Sequence, residues 1–453
     1  MDRRTFLKGT AAAAAAGLAH PGDAAAQQGT SFTVRNAAHV LTMDAKLGNL
    51  AGADVQVRDG RIVAVGRDLP RQGETIDAGG MIVMPGFIDT HTHMWNCLWR
   101  TLDTPYVYGH ERLGPQYRPE DSYNAVRLCA AEFLSGGITT AHGWEHNLRS
   151  PAYADAELKA LTDMGIRAHF SYGWTFDMPN EKVTPFDDIL RVRKQWQGEL
   201  ITIGFASRAD STDGAPPNQW PSATPSVRKQ EWEFARREKL LITHHVATPA
   251  SKPQAYIDLG GPDVLLVHGY QWGLETWQEL ARLGTKMSIS PYSAVVSYRT
   301  PAPWREMFQS GIQLSLSFDH MNRTGNADMF RTLQFASNVE HLRTGTGITH
   351  KRALELGTID GARALGLGEV TGSLTPGKRA DLIMIRTDDL NMAPSVSPER
   401  AVVMSAGPAN VDTVMVGGRI VKRKGELVVG DARQIARDAA ASLAGILERV
   451  KRG

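Results

Sequence analysis

The sequence of 453 residues lacks the features that mark several common protein classes. It holds only two cysteines, Cys97 and Cys129, and no Cys-x-x-Cys pair, which argues against a disulfide scaffold or a cysteine zinc cluster. A bridge between these two cysteines stays open. The formal net charge is only +2, so charge gives no reason to expect binding to nucleic acid or to an anionic membrane. No stretch after the N-terminal segment is long and apolar enough to cross a bilayer.

The N-terminal segment has the pattern of an export signal. Arg3 and Arg4 stand in the sequence Arg-Arg-Thr-Phe-Leu-Lys, and an alanine-rich apolar run follows at 11–19. Small residues at 24–26 offer a cleavage site. Paired arginines before a short apolar region are typical of the twin-arginine pathway. We therefore predict a signal over residues 1–26, a contact with the twin-arginine export machinery, and a mature chain that is periplasmic or otherwise exported.

The predicted secondary-structure pattern of the remaining chain changes twice. Short β patterns alternate with turns over 31–84, and Asp-Gly at 59–60 is typical of a hairpin. From residue 87 apolar strands alternate with helical stretches, which favours a parallel α/β sheet. We predict eight strands, at 87–94, 137–144, 166–173, 201–206, 240–247, 263–270, 286–293 and 313–320.

Eight such units in one region are what a (β/α)8 TIM barrel requires. An open, doubly wound sheet is the alternative, but no glycine-rich phosphate loop follows any predicted strand. After a helical run at 351–367, short β patterns return, with a second hairpin across Gly417 and Gly418. We predict a barrel over 85–370, a small β-sandwich domain built from 31–84 and 371–430, and a C-terminal helix over 431–453.

Two histidines close the first predicted barrel strand, in the motif Pro-Gly-Phe-Ile-Asp-Thr-His-Thr-His at 85–93. Side chains alternate faces along a strand, so His91 and His93 are expected to point the same way. Two imidazoles on one face can chelate a metal ion. A pair of adjacent histidines without such a role is the alternative reading of this motif taken alone.

Further His and Asp residues stand at the ends of other predicted strands. Strand 5 ends with His244 and His245, strand 6 with His268, and strand 8 with Asp319 and His320. The carboxyl ends of barrel strands meet at one face, where active sites lie. A metal site at that face would account for these residues together.

The combined motifs resemble the amidohydrolase superfamily over nearly the whole mature chain. Besides the motif at 85–93, the resemblance rests on Gly-Gly-Ile-Thr-Thr at 136–140, Phe318-Asp319, Gly-Ala-Arg-Ala-Leu-Gly-Leu at 361–367 and Gly-Ser-Leu-Thr-Pro-Gly-Lys-Arg-Ala-Asp-Leu at 372–382. It is nearest to the branch of cytosine deaminases, S-adenosylhomocysteine deaminases and triazine hydrolases. That branch implies a distorted TIM barrel, a β-sandwich from both chain ends, and one divalent metal.

The resemblance implies specific roles. His91, His93, His245 and Asp319 would hold the metal, which we expect to be zinc, with Fe2+ or Mn2+ also compatible with these ligands. His268 and Asp319 would be the catalytic residues. Predicted strand 4 contains no lysine to bridge two metals, which supports a single ion. His244 is expected to point away from the site, and His320 to pack beside it.

One departure from the branch concerns the reaction. Its deaminases carry His-x-x-Glu on strand 5, whereas this chain has Thr248 at the glutamate position. A threonine hydroxyl is not a useful proton donor or acceptor at neutral pH. We therefore expect hydrolysis of an amide, urea or carbamate. Deamination or dehalogenation of a heterocycle, with Glu145 or a water in place of the glutamate, is one alternative, and a catalytically silent binding protein is the other. His142 is a further candidate acid or base.

Aromatic side chains crowd the predicted strand ends. We expect a small-molecule substrate with an apolar, aryl character, because such sites bind ligands with aromatic walls. The predicted substrate-binding residues are Trp95, Trp144, Thr248, Trp272 and Tyr292. A homo-oligomer is left open.

Overall fold

The computed structural model describes residues 31–103, 108–210, 222–246 and 252–452. These residues form an eight-stranded sheet, a nine-stranded sheet and a two-stranded ribbon. Among them, no helix combines the length and the apolar character that a bilayer crossing requires. Thr248 and the N-terminal signal lie outside the described residues.

The strands, in chain order, are β1 Ser31–Leu41, β2 Asn49–Arg58, β3 Arg61–Gly66, β4 Glu74–Asp77, β5 Met81–Pro85, β6 Phe87–Thr92, β7 Ile138–Glu145, β8 Arg167–Tyr172, β9 Ile201–Ser207, β10 Ala209–Asp210, β11 Ser222–Ala223, β12 Ile242–Val246, β13 Val264–His268, β14 Lys286–Ile289, β15 Gln313–Leu316, β16 Leu382–Arg386, β17 Val411–Val416, β18 Arg419–Arg423 and β19 Glu426–Leu427.

The α-helices are α1 Pro119–Ser135, α2 Pro151–Met164, α3 Phe186–Trp196, α4 Pro225–Arg237, α5 Pro253–Leu259, α6 Leu274–Arg282, α7 Pro291–Val296, α8 Trp304–Ser310, α9 Met321–Thr324, α10 Met329–Thr344, α11 His350–Leu356, α12 Ile359–Ala364, α13 Pro398–Met404 and α14 Ala432–Arg452. Shorter helical turns cover Met94–Trp99, Gly109–Leu113, Gly114–Gln116 and Pro408–Asn410.

The eight-stranded sheet is a parallel α/β barrel, as the sequence predicts. Its strands follow one another in the order β6-β7-β8-β9-β12-β13-β14-β15. The backbone closes the ring at its carboxyl end, where Asp319 N donates to His91 O at 2.9 Å and His93 N donates to Asp319 O at 2.9 Å. The first and eighth strand ends, which carry three of the predicted site residues, are thus tied together.

Proline and glycine mark the ends of the helices around the barrel. Pro119, Pro151 and Pro225 occupy first turns, where a missing N–H costs nothing. Gly165 and Gly311 end α2 and α8 in the left-handed conformation, with φ of 66° and 78°. These signals explain why the predicted alternation of strands and helices holds.

The nine-stranded sheet takes its strands from both ends of the described chain. Its order is β19-β18-β17-β16-β5-β1-β2-β3, with β4 beside β1. Both predicted hairpins occur in it: Asp59 and Gly60 turn with φ of 50° and 73°, and Gly417 and Gly418 with 55° and 79°. Both residues of each turn have positive φ, as type I′ hairpins require.

Two predicted elements end earlier than expected. The predicted strand at 286–293 stops at Ile289, because Pro291 lacks a backbone donor for the sheet and begins α7. The predicted helical run at 351–367 is divided into α11 and α12 around Gly357. Cys97 and Cys129 are both buried and free, so the bridge left open by the sequence is absent.

Candidate metal centre

Four side chains at the carboxyl end of the barrel converge. His91, His93, His245 and Asp319 are buried, and one ligand atom from each lies within 4.8 Å of the others. His91 and His93 stand at the end of β6, His245 near the end of β12, and Asp319 follows β15. Separate strands therefore bring three imidazoles and one carboxylate to one point.

The distances within this group suit a metal ion. Asp319 Oδ1 lies 3.4 Å from His91 Nε2 and 3.4 Å from His93 Nε2, longer than a charge-assisted hydrogen bond. Two ligand atoms at zinc-bond distance in a tetrahedral site would be about 3.4 Å apart. Both nitrogens are buried without a hydrogen-bonding partner. The residues present therefore fit a divalent cation.

The ring of His93 is oriented by a backbone group. His93 Nδ1 lies 3.2 Å from the carbonyl oxygen of Trp144, which can only accept a hydrogen bond. The proton of the neutral ring is thus on Nδ1, and Nε2 has a free lone pair at the point where the four ligand atoms converge. Trp144 also stacks on His245, with ring centroids 3.3 Å apart.

Asp319 also has polar contacts with side chains outside the group. Its Oδ2 accepts a hydrogen bond from Ser293 Oγ at 2.5 Å and lies 3.9 Å from His268 Nε2 and 3.5 Å from His320 Nε2. Burial alone would raise the pKa of Asp319, but His320, His91 and His93 hold it well below its usual range. Asp319 is therefore an ionised acceptor.

Backbone strain accompanies two of these residues. Asp319 and His268 both have positive φ, of 69° and 73°. Non-glycine residues in this region cost free energy and cluster at functional sites. Burial lowers the pKa of His268 to about 4, so its imidazole is neutral and keeps one N–H donor.

The remaining predicted histidines lie elsewhere. His244 faces the outside of β12, with its ring 5.8 Å from Trp232 and 5.3 Å from Tyr256. His142 lies inside the barrel below the group, where its Nδ1 donates to Thr90 O and its Nε2 bonds to Ser171 Oγ at 2.8 Å. Both ring nitrogens of His142 are therefore occupied by structural hydrogen bonds.

Glu145 turns away from the group formed by His91, His93, His245 and Asp319. Its neighbour Trp144 faces the barrel interior, so Glu145 points outward, toward Glu157 of α2. Burial raises the pKa of Glu145 to about 8, and burial and Glu145 raise that of Glu157. The two carboxyl groups are buried next to each other, outside the barrel strands. Glu145 therefore does not replace the missing strand-5 glutamate.

The predicted substrate-binding aromatics separate into two sets. Trp144 contacts the group, with its ring centroid 5.0 Å from that of His91. Trp95 is connected to the group through His146, because its Nε1 donates to His146 Nδ1 at 3.1 Å. Tyr292 instead stacks on Phe335, with centroids 4.2 Å apart, because α7 carries it outward. Trp272 packs on Tyr256 at 5.0 Å. The structure thus brings neither Tyr292 nor Trp272 to the group.

Sequence reasoning missed a second imidazole pair. His146 lies 4.4 Å from His93 between ring centroids, and its Nε2 lies 3.0 Å from His110 Nε2. Because Trp95 N–H donates to His146 Nδ1, His146 carries its proton on Nε2 and donates to His110. His146 follows β7 closely, which was the available signal, whereas His110 stands in the short helical turn Gly109–Leu113, which carries no recognisable motif.

Comparisons with known proteins agree with this arrangement. The amidohydrolase family model matches residues 82–421, and the model of the twin-arginine translocation signal matches residues 1–20. A 5'-deoxyadenosine deaminase from Methanosarcina acetivorans is 27% identical over 432 residues, covering 89% of this chain and 95% of that protein.

Two solved structures share the fold. An atrazine chlorohydrolase variant from Arthrobacter aurescens, complexed with zinc and atraton, superposes with a TM-score of 0.81 at 20% identity, covering 91% of this chain and 100% of that one. An adenosine deaminase from Xanthomonas campestris with bound zinc gives 0.80 at 21% identity, covering 94% and 100%. Since the family model spans most of the sequence, this chain belongs to the amidohydrolase family, and it is a metal-dependent hydrolase.

Proposed function

We propose that the chain is an exported, zinc-dependent amidohydrolase that cleaves the C–N bond of an aryl amide, urea or carbamate. The observation that carries the proposal is the buried convergence of three imidazoles and one carboxylate at the barrel's carboxyl end. The match to a twin-arginine signal supports export, and we place the mature protein in the periplasm or outside the cell.

His91, His93, His245 and Asp319 would hold the ion. Zinc fits a ligand set of imidazole nitrogens and one carboxylate oxygen, and both solved structures above were obtained with zinc. When bound, the cation would polarise the substrate and lower the pKa of a water molecule.

The residues of the chain have separate tasks in this reaction. Asp319, ionised and buried, accepts a proton from the attacking water and passes it to the leaving nitrogen. Ser293 holds Asp319 in place through its hydrogen bond to Oδ2. The neutral His268 donates a hydrogen bond to the oxygen that gains negative charge, since its Nε2 lies beside Asp319.

The substrate wall in this proposal is aromatic. Trp144 stands against the metal-ligand group, and Trp174 lies 5.7 Å from it between ring centroids. Their flat apolar faces suit an aryl group. Thr248, at the deaminase glutamate position, is kept as a predicted substrate contact outside the described residues.

Deamination or dehalogenation of a heterocycle is the second candidate. The names of the deaminase and chlorohydrolase relatives favour it. The position of Glu145 argues against it: Glu145 faces α2, so it does not substitute for the strand-5 glutamate. The two candidates differ in their products: an organic amine in the first, free ammonia or halide in the second.

A product screen decides between them. Mature protein reconstituted with zinc is incubated with aryl amides, ureas, carbamates and amino- or halo-heterocycles, and products are identified by mass spectrometry. Release of an organic amine that disappears in Asp319→Asn supports the proposal. Release of ammonia or halide from heterocycles supports the second candidate, and tight binding without turnover would indicate a binding protein.

A further inference from the structure

A pocket of about 480 Å³ opens at the other end of the barrel, beneath the amino-terminal ends of its strands. Its lining includes three apolar side chains, Leu241, Leu365 and Leu367. It also includes four cations: Arg193, Arg236, Lys239 and Lys286.

The pocket has an excess of positive charge. Asp263, the carboxylate in its lining, is already paired with Arg236 at 3.0 Å. Arg193 is partly neutralised by Glu238, at 3.6 Å. Within the described part of the chain, the side-chain ammonium groups of Lys286 and Lys239 have no hydrogen bond and no ion pair within 4 Å.

Lys286 is the unusual member of this set. It begins β14 in register with Leu265 of β13, and Ser288, two residues on, faces the barrel interior. Lys286 is therefore half-buried at the base of the barrel, and burial lowers its pKa. An ammonium group held in such a place without a close counter-ion is costly, which favours an anion as its partner.

We propose that this basal pocket, defined by Lys286, Lys239, Arg193 and the three leucines, binds a small organic carboxylate. The carboxylate would lie on Lys286, and the apolar body of the ligand would contact the leucines. The combination of cationic and apolar side chains in one lining selects this class over an inorganic oxyanion, which gains nothing from the leucines. The inference is independent of the proposed reaction, because the pocket is at the opposite end of the barrel.

Calorimetric titration of the mature, zinc-loaded protein tests the proposal. The probes are benzoate, its neutral counterpart benzamide, and inorganic phosphate. We expect benzoate to bind, benzamide to bind at least about tenfold more weakly, and Lys286→Met to lose about tenfold or more in benzoate affinity. Lys229→Met, at an exposed lysine on α4 that does not line the pocket, is the matched control and should bind as the wild type does.

Because carboxylates can also bind zinc, the difference between wild type and Lys286→Met decides, not binding alone. Equal benzoate affinity in these two proteins overturns the site. Phosphate binding as tight as benzoate, with the same dependence on Lys286, overturns the ligand class. If Lys286→Met does not fold, Lys239→Glu at the exposed rim should weaken benzoate binding about threefold or more, and unchanged affinity there overturns the proposal.

Discussion

Two buried carboxylates, Asp381 at the amino end of the barrel and Asp319 at its carboxyl end, differ in their surroundings. At the amino end, Arg167 donates from Nε and Nη2 to Asp381 at 2.7 Å and 3.1 Å, and Asp381 also accepts from Gly417 N at 2.6 Å. At the carboxyl end, the Nε2 atoms of His91 and His93 have no hydrogen-bonding partner. One buried carboxylate accepts hydrogen bonds from its neighbours on both oxygens, whereas the other lies 3.4 Å from two imidazole nitrogens that have no hydrogen-bonding partner.

This difference distinguishes a buried ion pair with a structural role from a buried polar group with the properties of a functional site. Arg167 and Asp381 join the barrel to the nine-stranded sheet, and each satisfies the other. The carboxyl-end group instead combines strained backbone, incomplete hydrogen bonding and a lowered pKa at Asp319. Such a combination costs stability and is retained where function requires it.

The strongest test of the comparison replaces the carboxyl-end carboxylate. Asp319→Asn removes the proton acceptor, and we expect kcat/KM to fall by about a thousandfold or more, with an unchanged circular dichroism spectrum. Asp89→Asn is the matched control, because burial raises the pKa of Asp89 and a protonated carboxyl resembles an amide. Near-normal turnover in Asp319→Asn would remove the catalytic role.

Replacing the amino-end carboxylate should give the reverse result. Asp381→Ala leaves the buried Arg167 guanidinium unpaired, so we expect the free energy of unfolding to fall by about 3–5 kcal/mol. Activity per folded molecule should stay near normal. Urea unfolding measures the first quantity and an active-site titration the second. Lys159→Met, which breaks an exposed pair with Asp163, is the control and should change stability by less than about 1 kcal/mol.

A third buried carboxyl group, Glu145, should make the free energy of unfolding depend on pH. The pKa of Glu145 is raised by burial to about 8 in the folded protein, beside Glu157. The unfolded chain loses this proton near the ordinary value of 4.5, so stability falls as pH rises from about 5 to 8. Glu145→Gln cannot ionise, and urea unfolding at several pH values should show a shallower decline. An unchanged slope would mean that the pair does not hold a proton.

The smallest expected effect concerns the support of Asp319. Ser293→Ala removes the hydrogen bond to Oδ2, and we expect kcat to fall about tenfold with a small change in KM. Ser297→Ala, at the end of α7, serves as the control. A loss as large as that of Asp319→Asn would show that Ser293 does more than position the carboxylate.

The sequence predicts the barrel and its polar strand ends because both depend on local patterns. Apolar strands alternate with capped helices, and the motif at 85–93 puts His91 and His93 on one face at the end of a strand. Strand alternation predicts that only one of His244 and His245 faces the site, and the choice of His245 comes from the family resemblance.

One failure comes from an overlooked local signal, the proline at 291, and the others from contacts that are distant in sequence. Tyr292 looks like a strand-end residue until Pro291 starts a helix and turns it onto Phe335. Glu145 looks like a site residue until Glu157 of a neighbouring helix meets it outside the barrel. His110 and His146 are 36 residues apart, and only the fold brings their rings together.

The metal content of the purified mature protein shows whether the four converging side chains hold an ion that hydrolysis requires. Elemental analysis of wild type and of His91→Ala, with hydrolysis measured before and after chelation, covers both binding and activity. We predict one divalent ion per wild-type chain, little in His91→Ala, and activity that is lost with the ion and restored by zinc. A metal-free wild-type protein with full activity would contradict the account.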